Sequence, residues 1–454
     1  MDFVELLPVF MFLALALLLF SGYPVAFVLG GVGLFFGFIG IHYEVFSLIE
    51  FFNILSRIWG GVCENLILVA IPMFIFMGTM LEKSGVAKDL LYALQILLRR
   101  VPGGLALSVT IMGTIMAATT GIIGASVVMM TLLALPVMLE RNYDKSLSTG
   151  TIAASGTLGI LIPPSIMLVI MADLLAISVG TLFVASIFPG LLLALLYFIY
   201  LFLRTRISPS LAPPLPDEVG PSSSKETLKL VFKSFLPPIF LIILVLGSIF
   251  AGFATPTEAA GVGALGSILL AIFNKRLNFK ILKEVTERSS LTGAMIFGIF
   301  VGATAFSYVF RSLGGDDLIH QFVNEIGFGP WGILFIMMGL VFLLGFFFDW
   351  VEITLIALPL FAPIMKTLDF AGHVQPELVI PWIAVLLAVN LQTSFLTPPF
   401  GFALFFMKGV SPPEVKIQTI YKGIIPFVLL QLAGLALVIT FPEIALWLPA
   451  RILD

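Results

Sequence analysis

Apolar residues run through this chain in stretches of roughly bilayer length, about 20 residues each, separated by short polar links. The stretches at 6–20, 25–41, 65–81, 181–203, 235–250, 259–273, 291–310 and 424–448 each predict a membrane-crossing helix. Between them lie segments with other patterns. In 82–100 the apolar residues Val86, Leu90, Leu91, Leu94, Leu97 and Leu98 recur at helical spacing among charges, which predicts an amphipathic helix at the interface. The segment 42–64, with Glu44, Glu50 and Arg57, reads only as a less apolar connection.

Two further regions share a more specific pattern. Residues 103–138 are too long for one crossing and too short for two, and their small, polar centre at 117–126 predicts the tip of a re-entrant hairpin. The returning limb carries TLLALP at 131–136, and the crossing that follows (146–172) is interrupted by Pro163-Pro164. The same order recurs downstream. A hairpin at 331–365 has Asp349 and Glu352 near its tip and TLIALP at 354–359, and a crossing at 380–407 is interrupted by Pro398-Pro399. Proline removes a backbone donor and clashes with the preceding turn, so each doublet predicts a helix broken in mid-crossing. Aligning the two TLxALP elements sets Ser126 opposite Asp349.

Charge orients the map. Segments 82–100, 204–234 and 275–288 are rich in Lys and Arg, whereas 1–5 and 312–327 are acidic. With both termini on the periplasmic side, every basic segment falls in the cytoplasm, as basic loops do. The first hairpin then enters from the cytoplasm and the second from outside. The predicted fold is an all-α polytopic membrane protein of two inverted-topology repeats, the arrangement of secondary transporters. Its first repeat is 1–203, its cytoplasmic linker the Pro/Ser-rich 204–234, and its second repeat 235–454.

Composition agrees: of 454 residues, 60% are hydrophobic and only 11% charged. The net charge of −3 gives no reason to expect nucleic acid. Cys63 is the single cysteine, which excludes an intramolecular disulfide and a Cys metal cluster. His42, His320 and His373 are scattered and form no HExxH motif. No resident cofactor is expected.

Candidate chemistry gathers at the tips and breaks. A carboxylate at bilayer depth faces a cavity, a partner or an ion, so Asp349 and Glu352 mark either a cation or proton site or a tip that reaches water. Thr119, Thr120 and Ser126 at the first tip, and Ser165, Thr393, Ser394 and Thr397 beside the breaks, are uncharged oxygen donors. Hard cations take such oxygens. The alternative for each hydroxyl is a bond to its own helix backbone. Half-helix N-termini suit an anionic substrate, and unwound carbonyls suit Na+. The ion set is thus Thr119, Thr120, Gly121, Ser126, Pro163, Asp349, Thr397 and Pro398; the substrate set is Ser126, Ser165, Asp349, Thr393 and Ser394. Thr255-Pro-Thr-Glu258 reads as a helix-capping box. Asp173 reads as the point where a helix exits outside. Trp59, Trp331, Trp350, Trp382 and Trp447 read as interface anchors.

With TPTEAAG at 255–261, LGILIPPS at 158–165 and FLTPPFG at 395–401, the chain resembles, end to end, the large membrane subunit of the tripartite ATP-independent periplasmic (TRAP) transporters, the DctM-like family. The resemblance implies an elevator-type transporter in the bacterial inner membrane, importing an organic acid such as a dicarboxylate by symport with Na+. It implies two partners, a periplasmic substrate-binding protein and a small four-helix membrane subunit, besides the lipid around it. It also implies that Ser126, Asp349, Ser165 and Thr397 border the ion and substrate sites. The alternatives are a stand-alone Na+- or H+-coupled carboxylate symporter, a channel, and an intramembrane hydrolase using Asp349, for which no second catalytic acid is evident.

Overall fold

The first two helices, α1 (Leu7–Phe20) and α2 (Val25–His42), are joined by a four-residue link in which Gly22 takes φ 84°. In this computed structural model residues 3–121, 123–216, 220–221, 223–399 and 401–452 are described, with the backbone alone at 119, 120, 224, 320, 322–324 and 326. Helix α3 (Leu48–Ile58) starts at a reciprocal cap: Ser47 Oγ accepts from Glu50 N, and Glu50 Oε2 accepts from Ser47 N. A π-turn (Trp59–Cys63) and a short 3₁₀ turn (Leu66–Val69) then lead into α4 (Ala70–Lys83). The amphipathic α5 (Val86–Leu97) follows, burying Val86, Leu90, Leu91 and Leu94 and leaving Leu97 exposed.

Helices α6 (Gly104–Thr120) and α7 (Ile123–Glu140) form the first hairpin. The broken crossing is α8 (Lys145–Thr157) and α9 (Ile166–Leu175), and α10 (Val179–Ile207) closes this half. The second half opens with α11 (Ser224–Phe250), α12 (Pro256–Phe273), the long α13 (Phe279–Ser312) and the short α14 (Gly315–Ile326). Its hairpin is α15 (Pro330–Leu344) and α16 (Trp350–Met365), and its broken crossing α17 (Val379–Ser394) and α18 (Phe402–Val410). The last helices are α19 (Ile417–Thr440) and α20 (Glu443–Ile452). Among the described residues, nine helical segments are long and apolar enough to cross a membrane, so the chain is a multi-pass membrane protein.

Three pairings between the halves recur with the halves exchanged. Helix α2 packs on α13, and α12 on α4. Helix α7 packs on α18, and α16 on α9; α8 packs on α19, and α17 on α10. The centre of the bundle is α17, with 89% of its span buried, whereas α11 buries only 22% of its own. Phe232, Leu236, Phe240 and Ile243 therefore face outward, a surface stable only against lipid or another apolar chain.

The predicted capping box on α12 is present: Thr255 Oγ1 accepts from Glu258 N, and Glu258 Oε2 accepts from Thr255 N. Other details differ from the sequence expectation. The connection at 42–64 holds α3, whose Ser47-x-x-Glu50 signature went unread. The broad tip expected at 117–126 contracts to the turn at Gly121, since α6 runs to Thr120 and α7 begins at Ile123. Helices α10 and α11 both run into 204–234. What remains of the linker is held down: Asp144 N donates to Leu211 O, Gly103 N to Ala212 O and Leu215 N to Arg99 O. Trp350 and Trp382 are core residues rather than interface anchors, 2% and 0% exposed, because Trp382 Nε1 finds an internal partner in Val438 O.

Candidate functional site

The two helix breaks meet. Thr157, the last residue of α8, and Gln392, near the end of α17, each stand six positions before the first proline of their doublet. Gln392 Nε2 donates to Thr157 Oγ1 at 3.4 Å, with both side chains fully buried. After Thr157 the first break tightens into a 3₁₀ turn at Leu158–Ile160, then passes Pro163-Pro164 and restarts as α9. The peptide bonds Pro163-Pro164 and Pro398-Pro399 are both cis. Ser165 bridges its own break, its hydroxyl donating to Ile160 O at 2.5 Å.

Each hairpin turn seats on the break of its own half. Gly121, at φ 57°, lies so near Ile166 that a methyl group on it would approach the isoleucine Cδ1 to 3.0 Å. At the other turn a methyl on Gly345 would lie 1.9 Å from Ser394 Oγ. Only a residue without Cβ lets that turn settle on the end of α17. The returning limbs then cross over, α7 to α18 and α16 to α9.

The interrupted helices thus bring their broken ends to one locus. Helices α8 and α17 aim their C-terminal carbonyls into it, the end of a helix that attracts cations. Helices α9 and α18 begin beside it, the end that attracts anions. Ser165, Thr393 and Ser394 are completely buried, and Ser126 nearly so. Thr393 Oγ1 donates to Val389 O, Ser394 Oγ to Leu391 O and Thr397 Oγ1 to Thr393 O. These bonds are the backbone alternative raised above. A hydroxyl that donates its proton keeps its oxygen lone pairs, so the donation is compatible with an incoming cation. Ser126 is three residues into α7. Pro163 and Pro398 occupy the first proline of each break, with Thr397 just before the second. The side chains of Thr119 and Thr120 lie outside the described residues, as does Phe400 of the second motif.

Asp349 is the N-cap of α16. Its carboxylate accepts from Trp350 N at 2.8 Å, and Glu352 Oε2 accepts from Asp349 N at 3.2 Å. The two acids therefore form a capping box that fixes how the chain re-enters α16. Sequence reasoning missed Gln392 and Gly345. The shared spacing from the doublets pointed to Gln392. No sequence signal distinguished Gly345 from its neighbours, because its role is a contact with a residue 49 positions away.

A helical membrane bundle in which two interrupted helices meet beneath two hairpin turns is a transporter architecture. The fold is similar to that of the Alcanivorax borkumensis YdaH transporter, with a TM-score of 0.60 at 16% identity, covering 91% of this chain and 89% of that one. Residues 12–444 match the model of the tripartite ATP-independent periplasmic transporter, DctM component, and the chain belongs to that family. Among its relatives, the C4-dicarboxylate TRAP transporter large permease protein DctM of Pseudomonas aeruginosa is 31% identical over 85% of this chain and 87% of its own length. The isethionate TRAP transporter permease protein DctMQ of Oleidesulfovibrio alaskensis is 29% identical over 98% of this chain and 67% of its own. The ectoine TRAP transporter large permease protein TeaC of Halomonas elongata is 28% identical over 84% and 86%.

Proposed function

We propose that the chain is the large membrane subunit of a Na+-coupled TRAP importer in the bacterial inner membrane, with both termini periplasmic. It takes a small organic acid from a periplasmic binding protein and works beside a small four-helix membrane subunit. The substrate class follows the relatives, whose names specify C4-dicarboxylate, isethionate and ectoine. The fold is read as two inverted repeats, 1–203 and 235–454, joined by the 204–234 linker, with the hairpins and broken helices moving as an elevator body against a frame of α2, α4, α12 and α13. The exchanged helix pairings support the repeats.

The observation that carries the reading is the Thr157–Gln392 bond, which joins the two helix breaks beneath the hairpin turns. Na+ bound by hydroxyls and carbonyls of the breaks orders both turns, and the ordered turns hold the carboxylate between the N-termini of α9 and α18. Such coupling is reciprocal: substrate tightens Na+ as much as Na+ tightens substrate. The test is uptake of a radiolabelled C4-dicarboxylate into proteoliposomes containing this chain, the small subunit and the binding protein. An inward Na+ gradient is expected to drive it and choline to abolish it. Uptake by this chain alone would instead establish a stand-alone symporter, and uptake indifferent to Na+ would remove the coupling.

A further inference from the structure

Away from the breaks, a cavity of about 660 Å³ opens between the frame and the hairpin body. On one side stand the last three turns of α13, of the frame, with the end of α3 and the turn at Asn65 beside them; on the body side are the end of α9 and the middle of α16. Thr304, Ser307, Tyr308 and Arg311 present one face of α13 to it, at helical spacing, over about 10 Å of axis. Arg57, in the last turn of α3, reaches over the Tyr308 ring with its guanidinium carbon 5.6 Å from the centroid. Arg311 donates from Nη2 to Pro359 O of the second TLxALP element at 2.8 Å.

The charges in and beside this cavity are few. Asp173 is the lining carboxylate, and it accepts from Asn65 Nδ2 at 2.7 Å. Asp316 stands 3.7 Å from Arg311 Nε. Among the described residues, Arg57 has no carboxylate within ion-pair distance and is steadied by the aromatic face alone. Two exposed guanidiniums thus share an open cavity with one lining acid that an amide already engages. A guanidinium fork matches a carboxylate or sulfonate in shape and donor geometry.

From this we propose that the cavity is an anion-binding vestibule, in which Arg57 and Arg311 receive the acidic group of the substrate before it reaches the helix breaks. The charge count of the loops places its mouth, at the C-terminal end of α13, on the periplasmic side. The proposal rests on the importer reading for the identity of the anion, but not for the electrostatics of the cavity. Because Arg311 also holds Pro359 O, the guanidinium that would receive the anion stands at the contact between α13 and α16.

The test replaces exposed Cys63 by Ser, installs a reporter thiol with Ser307→Cys, and uses Thr304→Cys as a second reporter. Labelling rates of the purified full chain in detergent are measured with anionic sulfonatoethyl and cationic trimethylammonioethyl methanethiosulfonates, relative to a free thiol. The anionic reagent is expected to be favoured, and Arg57→Gln or Arg311→Gln to lower the anion/cation ratio by about three- to tenfold each. Succinate or isethionate is expected to slow labelling in the parent and not in the double arginine variant. A ratio unmoved by either substitution overturns the vestibule. Protection by the binding protein and by neither acid overturns it in favour of a protein-docking surface. Na+-driven uptake measured on the same variants separates the two readings: normal substrate affinity in the double variant removes the vestibule and leaves the importer, whereas absent uptake in the parent removes the importer and leaves the charged cavity.

Discussion

Placing a single methyl group on Gly345 tests whether the second hairpin turn must seat on the end of α17. The residue has ordinary right-handed geometry, φ −64° and ψ −11°, so alanine brings no backbone strain. The whole effect comes from contact. The added Cβ would lie 1.9 Å from Ser394 Oγ and 2.5 Å from Ser394 Cβ. Carbon contacts relax near 3.5–4 Å, so the turn or α17 must give way by about 1.5 Å. Ser394 is fully buried and bonded to Leu391 O, which leaves it no free direction to move. Overpacking of this kind costs about 1–3 kcal/mol, or roughly a five- to 150-fold loss in the population of the seated turn. Gly345→Ala should therefore weaken Na+-dependent substrate uptake by a factor in that range, read in proteoliposomes alongside thermal unfolding in detergent. Ser394→Gly removes both atoms that clash, so the pair Gly345→Ala/Ser394→Gly should recover most of the loss. Gly345→Ala/Ser394→Ala, which keeps the Cβ at 2.5 Å, should recover little. The single variants provide the double-mutant cycle, with a coupling of about 1–3 kcal/mol expected. Full activity in Gly345→Ala, or equal behaviour of the two double variants, would refute the seating argument.

Asp349→Asn keeps an N-cap acceptor but removes the charge, whereas Asp349→Ala removes both. If Asp349 serves the ion, Asn lowers Na+ affinity at least about tenfold with little change in thermal stability, and Ala also costs about 1 kcal/mol of stability; unchanged Na+ dependence in Asn makes the residue a cap only. Gly121→Ala combines left-handed backbone with the 3.0 Å approach to Ile166 Cδ1. It should destabilise by about 1 kcal/mol or more, with Ile166→Val relieving only the Cδ1 share of the contact, since Cγ1 would still lie 3.1 Å away. Ser47→Ala removes the acceptor at the start of α3. The serine's donors hold the Glu50 carboxylate below its ordinary range, so the cap contributes above the usual Glu pKa and is lost as pH falls through the depressed one. Hydrogen exchange of α3 should quicken in Ser47→Ala at neutral pH, and the difference should narrow in acid without closing, because the bond from Glu50 N to Ser47 Oγ does not titrate.

Much of the architecture was legible because lipid simplifies the code: apolar length marks crossings, and proline doublets mark interruptions. Thus Pro163-Pro164 and Pro398-Pro399 located both breaks, and Thr255-Pro-Thr-Glu258 announced its cap. Local chemistry that resembles ordinary loop composition was harder to read. Helix α3 lay in a stretch of mixed polarity, and only the Ser47/Glu50 pair marked it. The hairpin turn came out narrower than its small-residue centre implied, because Ala and Thr are as content in a helix as in a loop. Least legible were contacts between distant positions. Gly345 against Ser394, Gln392 against Thr157, and Arg57 over Tyr308 are set by how helices lean together, and no single segment encodes that.

The pinned linker also limits how far the two halves can slide. Residues Leu211, Ala212 and Leu215 are tied by backbone bonds to the chain beside α5, α6 and α8, and Gly220 lies so near α5 that a methyl on it would approach Ile96 Cδ1 to 2.4 Å. From residue 216 to 223 there are eight residues before α11 starts. Drawn taut, they reach about 28 Å. That tether length is a ceiling on any stroke that carries the end of α10 away from the start of α11, and shortening it by deletion should act as a brake on travel without touching the site.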